Sequence, residues 1–160
     1  MKLVYVAGPY RATTVWGVEQ NILAAQAVGA QVLAIDGLHP VIPHMNTRQM
    51  EGIASDEQVL EGTLEMLRRC DAVIIDGRWD SSAGTRGEVA EALRLGLPIL
   101  YAWGDESYSA GILRDLAATP AGYRVPPGAC DPQRERFWMG RRAGADEMLI
   151  RLGPSTRPRP

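Results

Sequence analysis

The apolar positions of this chain fall into short continuous runs, separated by longer segments in which they recur every three or four residues. Residues 2–7, KLVYVA, are apolar almost throughout and predict a strand buried on both faces. Gly8-Pro9 ends it, and Tyr10 to Thr14 form a loop in which Thr13 or Thr14 is placed to cap a helix. Val18, Ile22, Ala25, Val28, Val32 and Leu33 then mark one helical face, running to about Ile35. Gly29 interrupts that helix at roughly 1 kcal/mol relative to alanine. After the Asp36-Gly37 turn, His39 to Pro43 read as a second strand, clipped by its prolines. Residues 44–57 are polar and irregular, long for a plain connection and suited to a lid or binding loop. Ser55 caps a helix of Asp56 to Arg69.

The next stretch, 71–91, organises the rest. Ala72-Val73-Ile74-Ile75, bounded by Asp71 and Asp76, predicts a third buried strand. Gly77 to Gly87 hold three glycines and the pair Ser81-Ser82, a turn-forming loop, and a helical pattern opens at Glu88. Leu97 to Trp103 read as a fourth strand, Ser107 to Ala118 as a helix and Ala121 to Val125 as a last edge strand. Asp131 to Arg142 and Ala143 to Leu152 read as short helices.

Strands alternating with helices predict an α/β fold: a Rossmann-like, doubly wound parallel sheet of about five strands in a single domain. That domain covers residues 1–152, and 153–160 are read as a disordered proline-rich tail. Right-handed crossovers put the first and third strands side by side, and ligands bind at the carboxyl ends of such strands. The loop after the third strand offers hydroxyls, backbone N–H groups and a helix N-terminus, all suited to hydroxyls or an anion. Glu88, placed in the first helical turn, is then either a pocket carboxylate or only a partner of the helix dipole.

Composition narrows the chemistry. With 160 residues and 46% hydrophobic content the chain can bury a full core. A net charge of −2 gives no basic field for a nucleic acid polymer. No run has the length of a membrane span and the N-terminus enters a strand directly, so the expected setting is cytoplasmic, with no membrane partner. Cys70 reads as a small core residue, and with Cys130 it makes no metal pattern.

A dinucleotide fingerprint needs three spaced glycines after the first strand, and only Gly8 is there. No phosphate-cradling Gly-Lys-Ser/Thr loop and no Gly-x-Ser-x-Gly elbow occur, and His39 and His44 have no zinc-spaced partner. The expectation is therefore no cofactor and no metal. What remains is a pocket of carboxylates and hydroxyls, Asp76, Asp80, Ser81, Ser82 and Glu88, faced by Tyr5, Tyr10, Arg11, His44 and Asn46. Paired carboxylates beside hydroxyl-binding groups suit glycosidic-bond chemistry.

Four segments in order carry a family resemblance: Tyr5-Val6-Ala7-Gly8-Pro9-Tyr10-Arg11, Pro43-His44-Met45-Asn46-Thr47, Leu64 to Asp71, and Gly77-Arg78-Trp79-Asp80-Ser81-Ser82-Ala83-Gly84 leading to Glu88. With them the chain resembles the nucleoside 2-deoxyribosyltransferase superfamily, in particular its small phage and bacterial branch of the DUF4406 type, related to nucleotide N-glycoside hydrolases. The resemblance spans roughly residues 3–103; the last third has no counterpart. It implies cleavage or transfer of the N-glycosidic bond of a (deoxy)nucleoside or its 5′-monophosphate. It implies Glu88 as nucleophile, Ser82 and Gly84 as the sugar- or phosphate-contacting turn, Gly8 to Arg11 as the first loop, and Tyr5 and Tyr10 near base and sugar. One departure stands out: Thr63 occupies the place of an aspartate that helps the leaving base in the related hydrolases. Asp56, Asp76 or Asp80 would then have to serve.

On this reading Glu88 attacks C1′, and Asp80 or Asp76 binds sugar hydroxyls or protonates the base. A helix N-terminus would keep Glu88 ionised at neutral pH. Trp79 stacks on a base or simply covers the loop, Arg11 holds phosphate or is a solvated arginine, and His44 binds substrate or is a satisfied loop histidine. Arg134, Arg136, Arg141 and Arg142 form a solvated face or meet a phosphate across a subunit contact. The resemblance further implies a homodimer. The competing reading is a catalytically silent nucleotide-binding sensor or accessory domain.

Overall fold

Four of the apolar runs become strands, β1 (Lys2–Ala7), β2 (Leu38–Val41), β3 (Ala72–Asp76) and β4 (Ile99–Ala102). All pair in parallel, in the order β2-β1-β3-β4, in a computed structural model that describes residues 1–76, 79–102 and 106–125. β1 and β3 are thus central neighbours, as the crossover argument requires. Their register pairs Ala7 with Ile75, which sets the ends of the two strands level. Gly8 follows directly, and a Cβ there would stand 3.1 Å from Asp76 Cβ, so glycine permits this close approach.

The helices are α1 (Val15–Leu33), α2 (Pro43–Asn46), α3 (Asp56–Arg68), α4 (Ala83–Arg94) and α5 (Glu106–Ala118), with a 3-10 turn at Trp79–Ser81. Alternate residues of each strand feed two cores. Val4, Val6, Ala72, Ile74 and Leu100 pack with α1 and α5 through Ala25, Val28, Val32, Leu113 and Leu116. Tyr5, Ala7, Val73, Ile75, Ile99 and Tyr101 pack with α3 and α4 through Leu67, Val89 and Ala92. The result is a single layered α/β domain of Rossmann-like type, with helices on both faces of one sheet.

Local chemistry sets the helix ends. Thr14 caps α1 by accepting from the Gly17 N–H at 3.0 Å, and Ser55 caps α3 by accepting from Gln58 at 3.2 Å. Ser82 caps α4, its Oγ accepting from the Thr85 N–H at 3.3 Å. Arg68 ties α3 to α4 through Glu91 at 2.7 Å. Lys2 Nζ donates to the Leu116 and Ala117 carbonyls at 2.7 and 2.9 Å, closing the end of α5. Gly29 is more than an interruption: a Cβ there would collide with Ile42 Cδ1, so the bare backbone lets α1 lie against the exit of β2.

Three expectations change. The helix predicted from Glu88 begins five residues earlier, at Ala83, because the Ser82 hydroxyl is the cap and the alanine and glycines that follow do not break the turn. The polar stretch after β2 is not wholly irregular, since Pro43 opens α2, where a proline's missing N–H costs nothing. Residues 121–125 are not a strand: they turn at Gly122, with φ +70, and the Val125 N–H donates to the Gly96 carbonyl at 2.8 Å while its side chain is buried. Among the described residues the sheet therefore has four strands rather than five. Trp103 and everything predicted for residues 126–160 lie outside the described residues. Among the described residues no helix is long and apolar enough to cross a membrane.

Candidate active site

Glu88 is the sixth residue of α4 and points back toward β1, buried to 7% exposure. Its Oε1 accepts a hydrogen bond from the Tyr5 hydroxyl at 2.6 Å, while its Oε2 is buried and has no partner. Burial pushes the Glu88 carboxyl up to about 7, with the Tyr5 hydrogen bond pulling the other way. The expectation that a helix N-terminus would hold it fully ionised at neutral pH is therefore corrected. Glu88 sits beyond the first turn, where the dipole fades, and desolvation dominates. Burial, then the Glu88 charge, raises the Tyr5 phenol well above its ordinary range, so Tyr5 is a permanent donor. The Thr63 side chain is within hydrogen-bonding reach of the same phenol.

A cleft of about 710 Å³ opens over this pair at the carboxyl ends of β1 and β3. The first loop, 8–12, forms one wall and α2 with residues 50–54 another. Val59, Leu60 and Thr63 of α3 supply a third, and the start of α4, from Ser81 to Thr85, closes it together with Glu88. This is the position expected of a ligand site in an open parallel sheet.

The structure brings together Glu88, Gly8, Tyr10, Arg11, His44, Ser82 and Gly84, all of which line the cleft, with Tyr5 beneath. Tyr10 donates to Glu51 Oε1 at 2.5 Å and stacks obliquely on His44, ring centroids 5.8 Å apart. Arg11 forms an exposed ion pair with Asp56. His44 is buried, with Nε2 3.2 Å from the Pro9 carbonyl and Nδ1 without a partner. Desolvation lowers its pKa, so the ring is neutral. Since a carbonyl only accepts, the Nε2 carries the proton and Nδ1 offers a bare lone pair.

Three predicted residues stand elsewhere. Asn46 is exposed and its amide contacts Met66 Sδ at 3.0 Å rather than lining the cleft. Trp79 is 8% exposed and packs in the core among Tyr5, Val89 and Tyr101, which is the covering role of the two foreseen. Asp76 ends β3 behind Gly8 and is not among the residues lining the cleft. The side chain of Asp80 lies outside the described residues.

Sequence reasoning passed over Thr85, Glu51 and Asn21. Thr85 is 1% exposed and its hydroxyl has no partner, although it lies one turn before Glu88 on the cleft wall. Asn21 is 6% exposed and its amide donates to the Tyr10 and Arg11 carbonyls at 3.1 and 3.2 Å, which shapes the first loop. The one available signal was a polar residue interrupting the apolar face of α1. Three cleft residues, His44, Thr85 and Glu88, thus hold buried polar atoms without partners, each costing roughly 1–3 kcal/mol unless a ligand supplies one.

An open parallel sheet with a carboxylate-centred cleft at its switch point is the arrangement in which Rossmann-like folds place their ligand sites. The chain belongs to the family described as Domain of unknown function (DUF7768), whose model matches residues 2–102. No curated protein matches it. Among solved structures it is similar to a 2-deoxyribosyltransferase from Leishmania mexicana, with 24% identity, 78% of each chain covered and a TM-score of 0.47. It is also similar to a 2-deoxyribosyltransferase from Bacillus psychrosaccharolyticus, with 16% identity, 78% of this chain and 98% of that one covered, and a TM-score of 0.45.

Proposed function

We propose that this protein cleaves or transfers the N-glycosidic bond of a (deoxy)nucleoside or a (deoxy)nucleoside 5′-monophosphate, with Glu88 as nucleophile. The observation that carries the reading is a carboxylate buried in the cleft, one oxygen fixed by Tyr5 and the other unspent. Fixing one oxygen orients the other, which is the positioning a nucleophile requires. The ionised Oε2 attacks C1′, the C1′–N bond breaks with its electron pair moving to the base, and water or a second base then displaces Glu88 from the glycosyl ester. A carboxyl pKa near 7 leaves about half of the free protein ionised at neutral pH, enough for attack. Ser82, Gly84 and the first loop hold the sugar end, Tyr10 and His44 cover it, and Asp80, in the 3-10 turn before α4, supplies a proton to the base. Two copies form a homodimer, which light scattering on a sizing column tests directly.

The experiment is incubation with deoxynucleosides and their monophosphates, following free base by chromatography. Base release by the wild type and none by Glu88→Ala supports the reading. Saturable ligand binding with no base released by either would favour a silent nucleotide sensor instead, a reading that Thr63 beside Tyr5, in place of a carboxylate, already favours.

A further inference from the structure

The ionisable groups that line the described cleft are unbalanced. Arg11 is taken up by Asp56, and His44 is neutral. Glu51 and Glu88 remain, with no cation paired to either in the cleft wall. Glu51 is exposed at the mouth, where the Tyr10 hydrogen bond lowers its pKa and keeps it ionised at neutral pH. Tyr10 senses the same field: burial first, then Glu51 and Glu19, push its phenol up to about 12, against the smaller opposing effect of Arg48. The unspent buried atoms agree with the charges. In the ionised form Glu88 Oε2 can only accept, as does His44 Nδ1, and of the three the Thr85 hydroxyl is the one that can then donate. A ligand matching this lining brings hydrogen-bond donors and positive charge.

A glycosidic substrate carries positive charge most simply on its base. Resting on the reading of Glu88 as nucleophile, we propose that the substrate is an N-glycoside with a cationic base, a pyridinium or N-alkylated purine nucleoside, drawn in by Glu51 and Glu88. The chemistry then closes without a general acid. Glu88 Oε2 bonds to C1′, the C1′–N bond breaks, and its electron pair neutralises the ring nitrogen, so the base departs as a neutral molecule. Water attacks C1′, the electron pair of the ester bond returns to Glu88, and the proton of the water passes to solvent. The cation also favours the ionised form of the carboxylate that attacks it. This removes the need for the carboxylic acid that the described cleft does not place beside Tyr5.

The test uses the full chain with nicotinamide riboside and its 2′-deoxy analogue as cationic probes, and 2′-deoxyadenosine and 2′-deoxycytidine as neutral ones. Because a pyridinium leaves readily from any sugar, a higher rate alone decides nothing; salt and Glu51 decide. We expect kcat/KM for the cationic probes to exceed that for the neutral ones at least tenfold. The advantage should shrink between about 20 mM and 500 mM salt, and fall roughly three- to tenfold in Glu51→Gln, whose exposed site leaves the fold intact by circular dichroism. Neutral nucleosides cleaved equally well, or an advantage indifferent to salt and to Glu51→Gln, overturns the charge proposal while leaving Glu88 as nucleophile. Silence on all four overturns both.

Discussion

The Tyr5 phenol donates to Glu88 Oε1 at 2.6 Å, joining a central strand to the second turn of the helix after the third strand. Both side chains are buried, so the bond is shielded from water and lasts through pH changes that leave the phenol protonated. It opposes the desolvation of Glu88, and it leaves a single oxygen of the carboxylate to meet a ligand.

Tyr5→Phe removes this bond and little volume. The Glu88 pKa then rises above its present value near 7, so the acid limb of the rate profile moves to higher pH and activity at pH 6–7 falls. Stability drops by about 1–2 kcal/mol, since Oε1 loses its partner in a buried site. A kcat/KM profile against pH with a melting curve checks both.

Glu88 also imposes a pH-dependent cost on the fold. Its folded pKa, near 7, is raised above the unfolded value of 4.5, so folding favours the protonated form. The cost is absent below about pH 4.5, grows as the unfolded chain ionises, and levels off above about pH 7 at roughly 3 kcal/mol. Glu88→Gln should therefore melt higher than wild type at pH 8 and at nearly the same temperature at pH 4, while releasing no base. Calorimetry at the two pH values reads this directly.

Thr85→Val replaces an unpartnered buried hydroxyl by a methyl of similar shape. Removing an unsatisfied polar atom should leave the melting temperature equal or higher. If substrate supplies the missing partner, KM rises several-fold with kcat less affected, whereas Thr85→Ser keeps the wild-type KM. Steady-state kinetics on the three proteins separates ligand recognition from packing.

Asn21→Leu removes both donors that hold the Tyr10 and Arg11 carbonyls. Ordering of the first loop weakens, at about 1–3 kcal/mol, and KM for any ligand contacting Tyr10 rises. Thermal melting and ligand titration test this.

Much of the fold is legible because the central strands β1 and β3 are continuous apolar runs with both faces covered. Ser55 is legible as a cap because a hydroxyl precedes an amphipathic segment, whereas Thr13 and Thr14 are equivalent in sequence and the fold selects Thr14. Ser82 reads as a loop residue in sequence because Gly84, Thr85 and Gly87 are weak helix formers, which delays the predicted helix by five residues and sets Glu88 beside the dipole. The candidate site was legible where residues cluster along the chain, at Gly8 to Arg11 and Ser82 to Glu88. Asn21, Glu51 and Thr85 were missed because what gathers them is packing between elements distant in sequence. Trp79 is ambiguous in sequence, since an aromatic beside a loop looks the same for a stacking platform and for a lid on the core, and its packing in the buried cluster decides between them.

The most direct measurement is a covalent trap. The protein is incubated with a 2-fluoro-arabinosyl nucleoside, whose fluorine slows breakdown of a glycosyl ester, and then digested and mapped by mass spectrometry. The expected result is one glycosyl unit on the peptide carrying Glu88 in the wild type, and none in Glu88→Gln. Free base released with the adduct on another residue, or released equally by Glu88→Gln, would contradict the assignment of Glu88 as the nucleophile.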